Sequence, residues 1–400
     1  MNPELRFKDQ DGNDFPDWEE KKIDKVCRIQ TGSGNTQDKE DDGIYPFYVR
    51  SPIVEHSNKY IFECESVLTV GDGVGVGNVY HYANGKFNCH QRVYAMNEFN
   101  GISGKYFYYF FSTHFGARVK SMTAKTSVDS VRKDMIAKMD IQMPNDMKEQ
   151  SKIATLLSDI DKKIESQATL VEKLKNTKDA MLVKMFPQGD SKVPEIRFDG
   201  FSGDWEEKKL GSVAEFIKDG THASYKDSKV GYPLLSAKDI YNNEIHIPAD
   251  CRIISEEDYK SIFKSYNLEN NDILLTIVGT IGRIAIYKIA MPQVAFQRSV
   301  AIIRPKKIYD VKFISQYMSI YYFQSELLKR QNKGAQGGIY LGSLCKILVK
   351  TPSKREEQEK IGQFFSNLDK EIEINQQKYE KLCDVKKALL SKLFPTKEDE

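Results

Sequence analysis

Residues 144–187 read PNDMKEQSKIATLLSDIDKKIESQATLVEKLKNTKDAMLVKMFP, and residues 352–395 read PSKREEQEKIGQFFSNLDKEIEINQQKYEKLCDVKKALLSKLFP. The two align without a gap, with about 19 of 44 positions identical, so the chain is first of all a repeat. In the first copy Ile153, Leu157, Ile160, Ile164, Gln167, Val171, Leu174, Lys178, Met181 and Met185 step by four and three. Ile361, Phe365, Leu368, Ile372, Asn375, Tyr379, Leu382, Lys386, Leu389 and Leu393 keep the same steps in the second. That spacing predicts a helix with a heptad seam over about four to five heptads. Pro144 and Pro187 bracket one helix, Pro352 and Pro395 the other, as start and stop signals. About 38 residues at a rise of 1.5 Å make a rod about 57 Å long. Polar Gln167 and Asn375 fall at the same seam step, a device that fixes register. The plainer alternative is that each helix covers its own domain, but the seam is long and narrow for a single domain face. The expectation is an antiparallel helix pair with a pseudo-two-fold axis.

The repetition extends outward from the helices. PELRF at 3–7 returns as PEIRF at 194–198, and DWEEKK at 17–22 returns at 204–209 with the only two tryptophans. LTVGDGVGVGNVY at 68–80 aligns with LTIVGTIGRIAIY at 275–287, and His90-Gln91-Arg92-Val93 with Phe296-Gln297-Arg298-Ser299. The glycine-rich run invites a phosphate-binding reading. A dinucleotide fingerprint would, however, put its third glycine at Val76 or Asn78, and no Gly-Lys-Ser/Thr follows. In the second copy Thr280 replaces Gly73, and Gly75 alone of the four meets a glycine, Gly282. A strand–turn–strand element is expected instead.

Segments 1–143 and 188–351 are rich in short β-patterned runs, such as YPFYV at 45–49 and YPLLS at 232–236. Each runs toward an aromatic helix, KYFYYFF at 105–111 and QYMSIYYF at 316–323. The expected fold class is therefore α+β. Two mixed α/β domains, 1–143 and 188–351, are separated by two long helices, in segments 144–187 and 352–400 (the latter with a C-terminal tail), that form an antiparallel coiled coil in a tandem repeat.

Net charge is +2, which by itself selects no partner. Its distribution is uneven. Lys105, Arg118, Lys120, Lys125, Arg132, Lys133 and Lys138 face only Asp129 and Asp134 in their stretch. Lys312, Lys329, Arg330, Lys333, Lys346 and Lys350 face Glu326 alone, at the matching place in the repeat. Two matched basic patches suggest a grip on a long polyanion at two points, against the alternative of ordinary solvated surface.

Catalytic signatures are missing. The chain has no Pro-Pro, so the Asn-Pro-Pro-aromatic segment of amino-group DNA methylation is absent. Pro16-Asp17-Trp18-Glu19-Glu20-Lys21 resembles a nuclease motif, but its carboxylates crowd together and Gly203 replaces the proline in copy two. A strand opened by a buried tryptophan is the better reading. The six cysteines contain no Cys-x-x-Cys pair and the histidines no i, i+4 pair, so free thiols in a reducing compartment are expected and a metal site is not. No signal core opens the chain and no run is long and apolar enough to span a bilayer, which reads as cytoplasmic. A binder is favoured over an enzyme.

Two variable domains alternating with two near-identical helices resemble the specificity subunit of type I restriction-modification systems. The helix starts share Glu149, Gln150, Lys152 and Ile153 with Glu357, Gln358, Lys360 and Ile361. The helix ends share Leu182, Lys184, Phe186 and Pro187 with Leu390, Lys392, Phe394 and Pro395. PEIRF-x-G-F-x-x-x-W at 194–205 is similar to the segment that opens a half of this subunit, and copy one departs from it by four extra residues before Trp18. The resemblance implies a non-catalytic chain whose two target recognition domains each read one half of a split, asymmetric DNA site. It further implies two modification subunits that bind S-adenosylmethionine and methylate adenine, and restriction subunits that use ATP and Mg2+. No cofactor is expected in this chain itself. The candidate DNA contacts are Arg92, Arg118, Lys120, Lys125, Arg132 and Lys133 in domain one, and Arg283, Gln297, Arg298, Lys329, Arg330, Lys333 and Gln336 in domain two. Long cations would position phosphates while Gln and some Arg read base edges.

The alternative is a stand-alone, two-headed DNA-binding regulator without enzyme partners. Such a rod should be charged all round outside its seam. Met147, Leu156, Leu170, Leu182, Phe364, Ile374 and Leu390 lie off the seam, which favours partners. A solitary methyltransferase or nuclease fails on its missing motifs.

Overall fold

The computed structural model describes residues 3–123, 130–332 and 337–394. Three candidate contacts, Lys125, Lys333 and Gln336, lie outside the described residues. The chain divides into two compact units, Met1–Thr169 with Gln376–Glu400, and Leu170–Asn375. Each unit therefore holds one mixed domain and a stretch of both long helices.

In the first unit the chain runs β1 (Trp18–Lys22), β2 (Arg28–Thr31), β3 (Tyr45–Tyr48), β4 (Val54–Ser57), β5 (Phe62–Val70), β6 (Tyr80–Cys89), β7 (Val93–Asn97), α1 (Gly104–Thr123), α2 (Lys133–Ala137), β8 (Asp140–Pro144) and α3 (Met147–Met185). Six strands form one sheet in the order β2-β7-β5-β6-β3-β4, in which β3 and β6 run parallel. The last five residues of β5 are all buried. Flanked by strands on both sides and covered on both faces, β5 shows a continuous apolar and β-branched run instead of alternation. α1 turns Tyr106, Phe107, Phe110, Phe111 and Phe115 onto Val67, Val70 and Met96, the three-and-four spacing of a core-facing helix. Leu393 and Phe394, from the end of the other long helix, complete this core. Phe394 stands edge-on to Tyr106 and Phe110.

The second unit runs β9 (Glu206–Lys209), α4 (Leu210–Val213), β10 (Ala214–Asp219), β11 (Tyr232–Leu235), β12 (Ile240–Tyr241), β13 (Glu244–Ile245), β14 (Ile253–Ile254), α5 (Glu256–Ile262), β15 (Ile273–Thr276), β16 (Ile284–Ile286), β17 (Ala295–Phe296), β18 (Val300–Pro305), α6 (Val311–Ser319), α7 (Tyr321–Lys329), α8 (Leu341–Leu344), β19 (Leu348–Thr351) and α9 (Arg355–Leu393). The same strand pairings recur, but the long β6 of the first unit is replaced by two short strands, β16 and β17. The sheet accordingly splits into β10-β18-β15-β16 and β14-β11-β17. Phe186, from the end of α3, is fully buried here among Trp205, Phe313, Tyr317 and Phe365.

Both long helices span 39 residues and stop just before the expected Phe-Pro. Every seam position of both is buried or half-buried, Gln167 and Asn375 included. Inside the first unit Asp161 pairs with Lys386 at 2.5 Å and also accepts the Tyr109 hydroxyl. Inside the second, Lys178 pairs with Asp369 at 2.5 Å, and Asp369 also accepts the Gln316 amide. The repeat makes Asp161 the counterpart of Asp369 and Lys178 the counterpart of Lys386, so one ion pair is made twice. In each unit the early part of one helix meets the late part of the other, the antiparallel arrangement expected.

The repeated motifs clasp domain to helix. Glu149 is fully buried and accepts Arg6 at 3.1 and 2.8 Å. Glu357, equally buried, accepts Arg197 at 2.7 and 2.8 Å. The same guanidiniums reach backbone carbonyls, Arg6 those of Phe15 and Pro16, Arg197 those of Ser202 and Gly203. Gln150 accepts the Ser103 amide, and Gln358 accepts that of Asp310. Lys152 lies over the Phe15 ring and Lys360 over Phe201. One detail differs: Trp18 Nε1 donates to Glu149, whereas Trp205 Nε1 has no partner among the described residues. Removing one member of a buried, doubly bonded ion pair strands the other, at about 3–5 kcal/mol. Glu357→Ala is expected to lower unfolding stability by that order, and Arg197→Lys by less, since lysine keeps the charge but loses the fork. Chemical denaturation with hydrogen exchange of segment 194–205 measures both; unchanged stability of Glu357→Ala would mean the clasp is incidental.

Candidate nucleic-acid interface

The glycine-rich run is the turn between antiparallel β5 and β6, as its pattern predicts. Gly73 and Gly77 take positive φ of 86° and 69°, a conformation glycine adopts without cost. The amides of Val76, Asn78 and Val79 bond to the loop's own carbonyls at Gly73 and Gly75. Those three N–H groups are consumed within the turn and are not offered to a phosphate. Asp72 at its base accepts Arg50 and Arg92, each at 3.1 Å.

Around this turn both domains carry the same hydrogen-bonded frame. His90 N donates to Tyr48 O at 2.9 Å, and Gln297 N to Leu235 O at 2.8 Å. Gly71 N donates to Arg92 O as Ile277 N does to Ser299 O, both at 2.8 Å. Val131 N reaches Gly71 O at 2.8 Å, and Ile339 N reaches Ile277 O at 2.9 Å. Gln91 N donates to Gly34 O and Arg298 N to Thr221 O. These bonds correct the alignment made on residue identity. His90 corresponds to Gln297 and not to Phe296, Gln91 to Arg298, and Arg92 to Ser299. The frame is rigid because glycine permits close approach at one point in each domain. A Cβ on Gly32 would lie 1.9 Å from the Cys89 carbonyl oxygen, and on Gly220 2.1 Å from that of Phe296.

The frame also joins two features that are far apart in sequence. Ser130, past α1, is brought beside the glycine turn through the Asp72–Ser130 bridge in domain one, and Gly338, past α7, is brought to Val278 by the matching bridge in domain two. The side chains mounted on matching positions differ, with Asp72, Arg92 and Arg132 in the first domain against Val278, Ser299 and Tyr340 in the second. Tyr340 is 68% exposed, an aromatic that charge counting passes over. An open groove in domain one is lined by Asn35, Arg50, Asp72, His90, Gln91 and Arg92, of which sequence reading singled out Arg92 alone as a contact.

The remaining candidates divide by what already holds them. Arg118 Nε donates to the Met135 carbonyl, and Arg283 Nη1 to that of Ile240, so both serve the fold. Lys329 and Arg330 share Glu326, which keeps that carboxyl below its usual range through hydrogen bonds to both. Lys350, counted with the second patch, is buried and bonded to the carbonyls of Gly189 and Ser191. Lys120, Arg132, Lys133 and Arg298 are exposed, while Gln297 is half-buried. Among the described candidates the two charge counts that match in sequence thus give unequal surfaces, with Lys120, Arg132 and Lys133 open in domain one against Arg298 in domain two.

Nucleophilic chemistry finds no support at the adjacent Cys89 and His90. Burial pushes the Cys89 thiol up to about 12 and holds His90 below its ordinary value. No group of three metal-ligating side chains occurs among the described residues, and no described helix is long and apolar enough to cross a membrane. Off the seam, Leu156 and Leu390 pack on the first core and Leu182 and Phe364 on the second, leaving Met147, Leu170 and Ile374 exposed. The apolar signal for partner subunits is therefore smaller than the sequence suggests.

Comparison with known proteins gives a family match. Residues 16–176 and 202–383 match the type I restriction modification DNA specificity domain, once per repeat. The MjaVIII type I restriction enzyme specificity subunit of Methanocaldococcus jannaschii is 26% identical over 98% of this chain and 96% of its own length, so the similarity runs through both halves. The EcoBI specificity subunit of Escherichia coli is 30% identical, but over 42% of this chain and 36% of its own length. A crystal structure of the S subunit from M. genitalium superposes with a TM-score of 0.70 over the whole of both chains at 18% identity, a likeness of fold.

Proposed function

The chain belongs to the type I restriction modification DNA specificity family, and on that premise we propose that it reads a split, asymmetric DNA site and directs its partners' chemistry to it. Residues 1–143 and 188–351 are the two recognition modules, each reading one half-site, and the helices set the spacer. Two modification subunits carry S-adenosylmethionine and methylate adenine. Restriction subunits carry the ATP- and Mg2+-dependent work. The observation that carries this reading is the shared frame with unlike side chains. Two modules that must dock alike but read different sequences need one backbone and two sets of surface groups.

A stand-alone DNA-binding regulator is the second reading, favoured by the off-seam residues that turn inward. Purification through a tag on this chain separates the two. The first reading expects modification subunits to copurify and the assembly to bind double-stranded DNA with a steep salt dependence. Replacing Lys120, Arg132 and Lys133 with alanine should weaken binding to specific and random DNA alike, with the salt slope falling by about 0.9 for each phosphate that is no longer neutralised. The same should hold more weakly for Lys329 and Arg330, which Glu326 already half-neutralises. An unaltered slope in the triple variant removes domain one's basic surface from the interface; a chain that purifies alone favours the regulator.

A further inference from the structure

One position of the shared frame stands apart. Gln91 and Arg298 are its occupants in the two domains, both exposed and both on a turn whose backbone is bonded in place. Their amides donate to Gly34 O at 2.8 Å and Thr221 O at 2.9 Å, so the Cα of each is fixed while the side chain projects from the frame. Gln91 Nε2 donates to Asn35 Oδ1 at 2.6 Å, which sets the rotation of its amide. The Arg298 guanidinium makes no hydrogen bond or ion pair with another described residue. The lysines, by contrast, are flexible point charges suited to phosphate.

We propose that this position reads a base edge in each half-site, Gln91 an adenine and Arg298 a guanine. The chemistry follows from the major-groove pattern. A carboxamide matches the N6 donor and N7 acceptor of adenine, and a guanidinium fork matches the O6 and N7 acceptors of guanine. A rigid turn supplies what bidentate recognition needs, since a small displacement of the fork loses one of its two bonds. The inference rests on the function proposed above and adds to it which residue reads which base.

The test uses the complete complex with its modification subunits, and sequencing of methylated adenines across the genome. Arg298→Gln should replace guanine by adenine, or relax it roughly ten- to a hundredfold, at one position of the half-site read by domain two. The other half-site should stay unchanged. Gln91→Arg should do the converse in the half-site read by domain one. Both variants keep the backbone amide bond, and melting temperatures equal to the native complex verify folding. Lower methylation with the motif intact would make the position a phosphate contact and overturn the inference. Unchanged motif and level would remove it from the interface and overturn it as well. A native complex that methylates no split motif would bring down the wider reading together with this one.

Discussion

Exchanging residues 188–351 for the matching module of another specificity subunit changes one half of the methylated site and leaves the other half as it was. The expectation follows from how the module is held. Its attachments to the long helices run through residues that the repeat itself conserves between the two halves of this chain. Arg197 meets Glu357, Phe201 lies under Lys360, and Trp205 packs on Phe186. The Ile196 amide donates to the Lys184 carbonyl, as the Leu5 amide does to that of Lys392 in the other unit. An incoming module with arginine, phenylalanine and tryptophan at these places finds its partners waiting outside the exchanged segment. The frame residues that differ between domains travel with it. Each mismatched base pair costs about 1–3 kcal/mol, roughly additively, so several altered positions shift preference by orders of magnitude within that half-site. Sequencing of methylated adenines in cells carrying the chimera measures both halves at once. Alteration of both would contradict modularity, and loss of all methylation with a folded chimera would place recognition in the helices.

The long helices were legible because their information is periodic. Ten seam residues at a fixed step survive any single ambiguity, and proline marks the ends. The clasp was half legible: repetition exposed Arg6, Glu149, Arg197 and Glu357 as shared letters, but only the fold joins residues so distant in sequence. Errors arose where local chemistry overrode pattern. The aromatic run at 316–323 reads as one helix, yet Ile320 is extended and separates α6 from α7. Gln324 stabilises the break by donating to the carbonyls of Met318 and Gly282. Identity of the Gln-Arg pairs at 91–92 and 297–298 pulled the alignment one residue away from the backbone register. Counting charges could not tell Lys350, buried against two carbonyls, from Lys120 in solvent. Surface function depends on which partner each side chain finds, and that is set by tertiary contacts.

Lengthening both long helices by one heptad should lengthen the unread spacer. Extending one helix alone would slide the seam, so seven residues go after Leu174 and seven after Leu382, keeping the four-and-three stepping. The insertions fall between Asp161 and Lys178 on one helix and between Asp369 and Lys386 on the other. The Asp161–Lys386 and Lys178–Asp369 pairs therefore both survive. Seven residues add about 10 Å of rise, which is about three base pairs at 3.4 Å each. Three base pairs also turn one half-site by roughly 100°, because a DNA turn takes about 10–10.5 pairs. A heptad seam returns to nearly the same face after each repeat, so the added helix supplies little of that rotation. The expected result is a spacer longer by about three pairs, methylated at reduced efficiency, since the DNA must twist to present both half-sites. Sequencing of methylated adenines gives the new spacing directly. An unchanged spacer with methylation still strong would show that the helices hold partner subunits and that the distance between half-sites is set elsewhere.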